Sequence, residues 1–164
     1  MASTTEHGAA GTAPDAVPAA PDHAQASAAT PSEGDGIPVE HVERVAVTPA
    51  AADLIGRLVA RQGPVMFHQS GGCCDGSSPM CYPAGEFLTG DADVLLGRLV
   101  VDGVEPVPVW MSRSQFEYWK HTHLTIDVVP GRGAGFSLEA PEGVRFLIRS
   151  RLFSDEELVA LDLL

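Results

Sequence analysis

Ala51, Leu54, Ile55, Leu58 and Val59 draw a single apolar stripe at helical spacing, and after Gly63 the chain does not return to that period for any length. Beyond it, apolar residues alternate in short runs separated by prolines and glycines, the pattern of strands that bury one face. One helix followed by many short strands excludes helical bundles and doubly wound parallel folds, and predicts an α+β domain with a mainly antiparallel β-sheet. Thr48 and Pro49 stand where an N-cap and a first-turn proline belong, and Gly63 where a helix closes. Glu43 to Val47 alternates as a strand before that helix. Further strands are expected at Val65 to Gln69, Val94 to Val101, Val107 to Met111, Leu124 to Val129, Gly135 to Glu139 and Val144 to Ser150. Ser112 to Lys120 reads as one short helix. Ser154-Asp155-Glu156-Glu157 is a capping box that opens a short C-terminal helix carrying Leu158, Leu161 and Leu164.

Residues 1–40 are different in kind. They hold five prolines, no aromatic residue, six acids and neither Lys nor Arg. Such a segment cannot repay its ordering entropy, so a disordered, Ala/Pro-rich acidic tail is expected, followed by a single domain over 41–164. The whole chain sets 10 Lys+Arg against 22 Asp+Glu, a formal charge of −12. That charge repels phosphate backbones and anionic bilayers, which argues against nucleic acid and membrane as partners. No apolar run approaches the roughly 20 residues a membrane helix needs, and no secretion signal is visible, so a cytoplasmic location is expected.

The chemistry concentrates in the loop of residues 70–83, Ser-Gly-Gly-Cys-Cys-Asp-Gly-Ser-Ser-Pro-Met-Cys-Tyr-Pro. All three cysteines of the chain, Cys73, Cys74 and Cys81, fall here behind a glycine pair. Thiolates are soft ligands for zinc, iron or an iron–sulfur cluster, and clustered cysteines in a cytoplasmic chain point to metal or redox chemistry. Cys73 or Cys74 with Cys81 can chelate one ion, with Asp75 or an imidazole completing the shell. The spacing contains no C-x-x-C, and neighbouring side chains diverge on extended backbone. A thiol redox protein or sensor using the same three residues, and a non-catalytic interaction protein with a structural cysteine loop, therefore stay open. His68, five residues before Cys73, and the H-x-H of His121 and His123 are the weaker candidate ligands; on a strand the H-x-H pair would share one face.

Other signals carry less. Gly131-Arg132-Gly133-Ala134-Gly135 precedes a strand-like run rather than a helix, so it lacks the helix N-terminus that holds a pyrophosphate. A tight glycine hairpin is the better reading, and no NAD site is expected. Asp91 and Asp93 fall short of the oxygens calcium needs. Ser77 and Ser78 lack a nucleophile elbow, and no catalytic residue is assigned.

The runs G-G-C-C-D-G-S-S-P-M-C at 71–81, D-V-L-L-G at 93–97, F-E-Y-W at 116–119, G-R-G-A-G-F-S-L-E at 131–139 and R-F-L-I-R-S-R-L-F at 145–153 resemble a small uncharacterised bacterial family. Its members are often encoded beside aldehyde or alcohol dehydrogenases, and some carry an acetaldehyde dehydrogenase label. The resemblance implies such a dehydrogenase as partner; the chain is too short for a dinucleotide domain plus a substrate domain, so the activity itself is not expected. Val47-Thr48-Pro49-Ala50-Ala51, Gly71-Gly72-Cys73 and Gly135 to Pro141 are more distantly similar to the A-type (HesB-like) iron–sulfur carriers, which implies a β-rich fold of that kind. The carriers' C-terminal C-G-C pair is replaced here by Ile148-Arg149-Ser150-Arg151.

Overall fold

Thr48 holds extended backbone and accepts the Ala51 N–H on its side chain, Pro49 enters the first turn, and the helix α1 runs over Pro49–Gln62 until Gly63 closes it at φ 88°. The computed structural model describes residues 42–70, 78–133 and 135–164. The expected tail, together with Cys73, Cys74 and Asp75, lies outside the described residues.

The described residues form seven strands, all but the third near an expected position: β1 Val45–Val47, β2 Val65–Gln69, β3 Met80–Pro83, β4 Asp93–Leu99, β5 Val107–Ser112, β6 Thr122–Pro130 and β7 Val144–Leu152. Helix α2 spans Arg113–Trp119 behind a Ser112 cap. Helix α3 spans Asp155–Ala160 with both bonds of the Ser154–Glu157 capping box formed. The domain is α+β and mostly strand, but its strands form two mixed sheets instead of one mainly antiparallel sheet. One has order β1-β6-β7 and the other β3-β2-β5-β4. The parallel neighbours are β1 with β6 and β2 with β5. Each parallel pair joins strands far apart in the chain, which local periodicity cannot register. No helix among the described residues is long and apolar enough to cross a membrane.

Three further departures shape the site. The segment expected as a strand at 135–139 is a series of turns leading into a 3-10 helix at Ala140–Glu142, closed by Gly143 at φ 71°. Ser137 and Glu139 are buried there, and their side chains take over backbone hydrogen bonding that a ladder would supply. Leu138 N–H donates in ladder fashion to the Cys81 carbonyl at 3.1 Å. The glycine run is likewise no tight hairpin: β6 and β7 part at Pro130 and Val144, and residues 131–143 form the long connection. Conversely, β3 lies within the expected cysteine loop. Its bounding prolines masked it, and Pro83 is tolerated because β3 is an edge strand.

The core joins the two sheets and α1. Ala51, Leu54, Ile55 and Leu58 turn inward from the helix, and Phe67 of β2 meets Phe146 of β7 edge-on at 4.8 Å. At the meeting of β1 and β4 the chain needs a glycine. A β-carbon on Gly97 would stand 2.9 Å from Val45 Cγ2, beside the bulge at Leu95/Gly97 in the β4–β5 ladder. Gly97→Ala should therefore destabilise the domain by about 1–3 kcal/mol through overpacking. Urea unfolding measures it, and Val45→Ala in the same chain should recover part of the loss; a neutral Gly97→Ala would refute the close approach.

Carboxylates clamp the periphery. Asp127 accepts from Thr48 Oγ1 and its own neighbour Val128 N–H, both at 2.8 Å, and from Arg149 Nε at 2.6 Å, tying the α1 cap to β6 and β7. The Arg149 bond, then those of Thr48 and Val128, holds its pKa below the ordinary value. Glu157 accepts from both Arg151 nitrogens at 2.8 Å and from Ser154 N–H, which lowers it from the ordinary 4.5 to about 2. A carboxyl with a depressed folded pKa takes up more protons when unfolded. Its contribution is therefore complete above the unfolded value and lost as pH falls through the folded one. Stability should decline between pH 4.5 and about 2, and the decline should be shallower in Glu157→Gln; identical pH profiles in urea titrations would refute the clamp.

Candidate functional site

β2 lies inside the four-stranded sheet with both edges paired, and all five of its residues are buried. Alternation sends Phe67 toward the core and His68 to the opposite face, where its ladder partners are Met80 of β3 and Trp110 of β5. Phe87 lies over the imidazole with ring centroids 4.3 Å apart and stacks in turn on Tyr82 at 4.9 Å. The ring is 3% exposed. Its polar atoms are nonetheless both engaged: Nε2 meets Asp93 Oδ1 at 2.8 Å and Nδ1 meets Ser70 Oγ at 2.8 Å.

Asp93 opens β4, and its second oxygen accepts the Gly90 N–H at 3.0 Å. The bond from His68, then that from Gly90, holds its pKa below the ordinary carboxylate value. An ionised carboxylate only accepts, so Nε2 carries the proton; in the neutral ring Nδ1 is then the lone pair that receives the Ser70 hydroxyl. Ser70 is exposed and is the last described residue before 71–77. The sequence identified His68, weighed Asp93 only as a weak oxygen ligand beside Asp91, held Ser70 only as the first residue of the cysteine loop, and gave no sign of Phe87; nothing local links Asp93 to His68.

Cys81 occupies different ground. It pairs with Phe67 across the β2–β3 ladder and turns to the core, fully buried, on the sheet face opposite His68. Its N–H donates to Ser137 Oγ at 2.9 Å. Burial, and then the charge of Glu139, push its thiol far above the ordinary range, so it is a neutral S–H at physiological pH. Glu139 accepts from the Ser137 hydroxyl and, on its other oxygen, from Phe146 N–H at 3.3 Å. This buried serine–glutamate pair stitches the 131–143 connection to the open edge of β3 and to β7.

The H-x-H pair sits on the other sheet and is not presented by one strand face. His121 is an exposed turn residue before β6. His123 is on β6 opposite Arg151, edge-on to Phe153 at 6.2 Å, and burial followed by the Arg151 charge lowers its pKa from the ordinary 6.5. No group of three or more His, Cys, Asp or Glu among the described residues is arranged to hold a metal ion. What the described residues bring together is His68, Asp93 and Ser70 at the strand end from which the cysteine segment departs. Residues 54–152, which include all of these side chains, match a family model described as a domain of unknown function (DUF779). No curated protein and no solved structure matches the chain.

Proposed function

The chain belongs to the DUF779 family, and we propose that this member is a small cytoplasmic accessory protein that binds zinc, iron or an iron–sulfur unit through its cysteine loop and serves an aldehyde or alcohol dehydrogenase system. The observation that carries the reading is the oriented imidazole at the root of that loop. Metal-ligating histidines typically give their other ring nitrogen to a carboxylate, and His68 and Asp93 have that relation at 2.8 Å. Cys73 and Cys74 follow Ser70 within four residues in sequence and supply soft thiolates, with Asp75 beside them. The donor chemistry therefore fits a metal ion that takes mixed nitrogen and sulfur ligands. Core-facing Cys81, His121 and His123 are secondary in this reading, since a buried neutral thiol and a histidine facing Arg151 are poor partners for a cation.

The HesB-like kinship and the dehydrogenase partner rest on the sequence runs quoted above, as does the acidic tail at 1–40 as a solvated extension. The bound group would supply a Lewis-acid or cluster-carrying function; the chain's own part would be to hold it, with Phe87 packed on the His68 ring and Tyr82 stacked on Phe87. Anaerobic purification with metal and sulfide analysis tests the reading. Stoichiometric metal is expected in the wild type and in Ser77→Ala, with loss in Cys73→Ser and Cys74→Ser and a smaller effect in Cys81→Ser. Equal metal content in all these variants would overturn it.

A further inference from the structure

We propose that the cleft between the residues leading into β1 and the bulged middle of β4 binds a small organic carboxylate, held by the guanidinium groups of Arg44 and Arg98. The site stands apart from the metal-binding reading above, because none of its residues belongs to the cysteine loop or to the His68–Asp93 pair.

The cleft has a volume of about 290 Å³ and is lined by Val42, Glu43, Arg44 and Val45 on one side and by Leu96 and Arg98 on the other. That volume lies at the lower end for ligand sites and suits a short metabolite. Charge then selects the ligand. In a chain of net charge −12, most cations have found acids: Arg57 and Arg61 reach Glu142, Lys120 reaches Glu117, Arg149 reaches Asp127 and Arg151 reaches Glu157. Arg44 and Arg98 have no carboxylate partner among the described residues, yet they line one cleft.

Arg44 is also held in place. Its Nη1 donates to the Lys120 carbonyl at 2.8 Å, and its guanidinium carbon lies 5.3 Å from the Phe116 ring centroid and 5.7 Å from that of Phe153. A planar fork oriented in advance loses little entropy on receiving a carboxylate, whose two oxygens match its parallel N–H groups. Burial, with no acid to offset it, lowers the Arg44 pKa from its ordinary value. The strand edges add a donor. Leu124 N–H bonds the Arg44 carbonyl and Thr48 N–H bonds the Ile126 carbonyl, so alternation turns the Val45 N–H away from β6, to the side where β4 passes. β1 and β4 approach closely at Val45 and Gly97, but among the described residues no backbone hydrogen bond joins them. The rest of the lining decides between anions. The exposed Glu43 repels a doubly charged phosphate more than a singly charged acid, and Val42 and Leu96 offer apolar surface to an alkyl stem.

Amide NMR titration of the full-length reduced protein with butyrate, butyramide and inorganic phosphate tests this. Butyrate should shift the amides of residues 43–45 and 96–98 saturably, with a Kd of about 1 mM, and butyramide should leave them in place. Arg98→Gln alters only an exposed side chain, so it should fold, and it should weaken butyrate binding about 10-fold or more. Arg44→Gln should weaken binding at least as much, and Arg98→Gln keeps the proposal testable if that variant misfolds. Glu43→Gln should tighten binding about 2–5-fold by removing a like charge. Arg57→Gln, outside the cleft, should bind as the wild type does. No saturable shift at these amides would overturn the proposal, as would wild-type affinity in Arg98→Gln. Equal shifts with butyramide would make the cleft an apolar groove indifferent to charge, and tighter binding of phosphate than of butyrate would exclude the carboxylate; either result overturns it.

Discussion

Phe146→Ala should cost the domain about 3–5 kcal/mol, the range for removing a fully buried aromatic side chain. Phe146 belongs to the three-stranded sheet and Phe67 to the four-stranded sheet; both are wholly buried and meet edge-to-face at 88°. Truncation leaves a void where the two sheets face each other, a place that cannot collapse without moving one sheet against the other. It also forfeits the aromatic pairing energy, about 0.5–1.5 kcal/mol beyond area burial. Urea unfolding should show a large drop in midpoint. A double-mutant cycle of Phe67→Leu with Phe146→Leu should return a coupling energy, because residues in contact do not behave additively. A loss under about 1 kcal/mol, or strict additivity, would mean that the sheets are not joined through this pair.

Glu139→Ala should be the next most damaging change, at about 2–4 kcal/mol. The carboxylate is 2% exposed and answers two donors, the Ser137 hydroxyl and Phe146 N–H. Alanine strands both donors in a dry environment, and the penalty for unsatisfied buried groups exceeds the net value of the bonds themselves. Ser137 in turn receives the Cys81 N–H, so the damage reaches the edge of β3. Glu139→Gln keeps an acceptor for Phe146 and should lose much less. With Cys73 and Cys74 replaced by serine, alkylation of Cys81 offers a second readout: it should be slow in the parent and faster in Glu139→Ala. Equal stability of the alanine and glutamine variants would refute the bonding pattern.

Where structure depends on neighbours in the chain, the sequence is readable almost to the residue. Thr48-Pro49 and Gly63 bound α1, Val65–Gln69 is β2 as its period indicates, and the Ser154–Glu157 box caps α3. Reading fails where a distant partner decides. Phe136 and Leu138 alternate with Ser137 and Glu139 as a strand would, yet Phe136 is 89% exposed while Ser137 and Glu139 are the buried pair. Hydrogen bonds to β3 and β7 outweighed the apolar preference there. The same holds at the site. His68 was visible beside the cysteines, but Asp93 reaches it across the sheet from the far side of β5, a relation that only the β2-β5-β4 strand order creates. The mixed sheet order was hidden for the same reason.

The parallel pairings also govern how the chain must be made. On the ribosome, at about 5–20 residues per second, Val45 emerges long before its partner Leu124, and Phe67 before Val109. Throughout that interval the nascent chain presents β1 without a neighbour and the α1 stripe without a sheet to cover it. Neither sheet can be completed by hairpins alone, so β1 waits for β6 and β2 for β5 before its sheet can close.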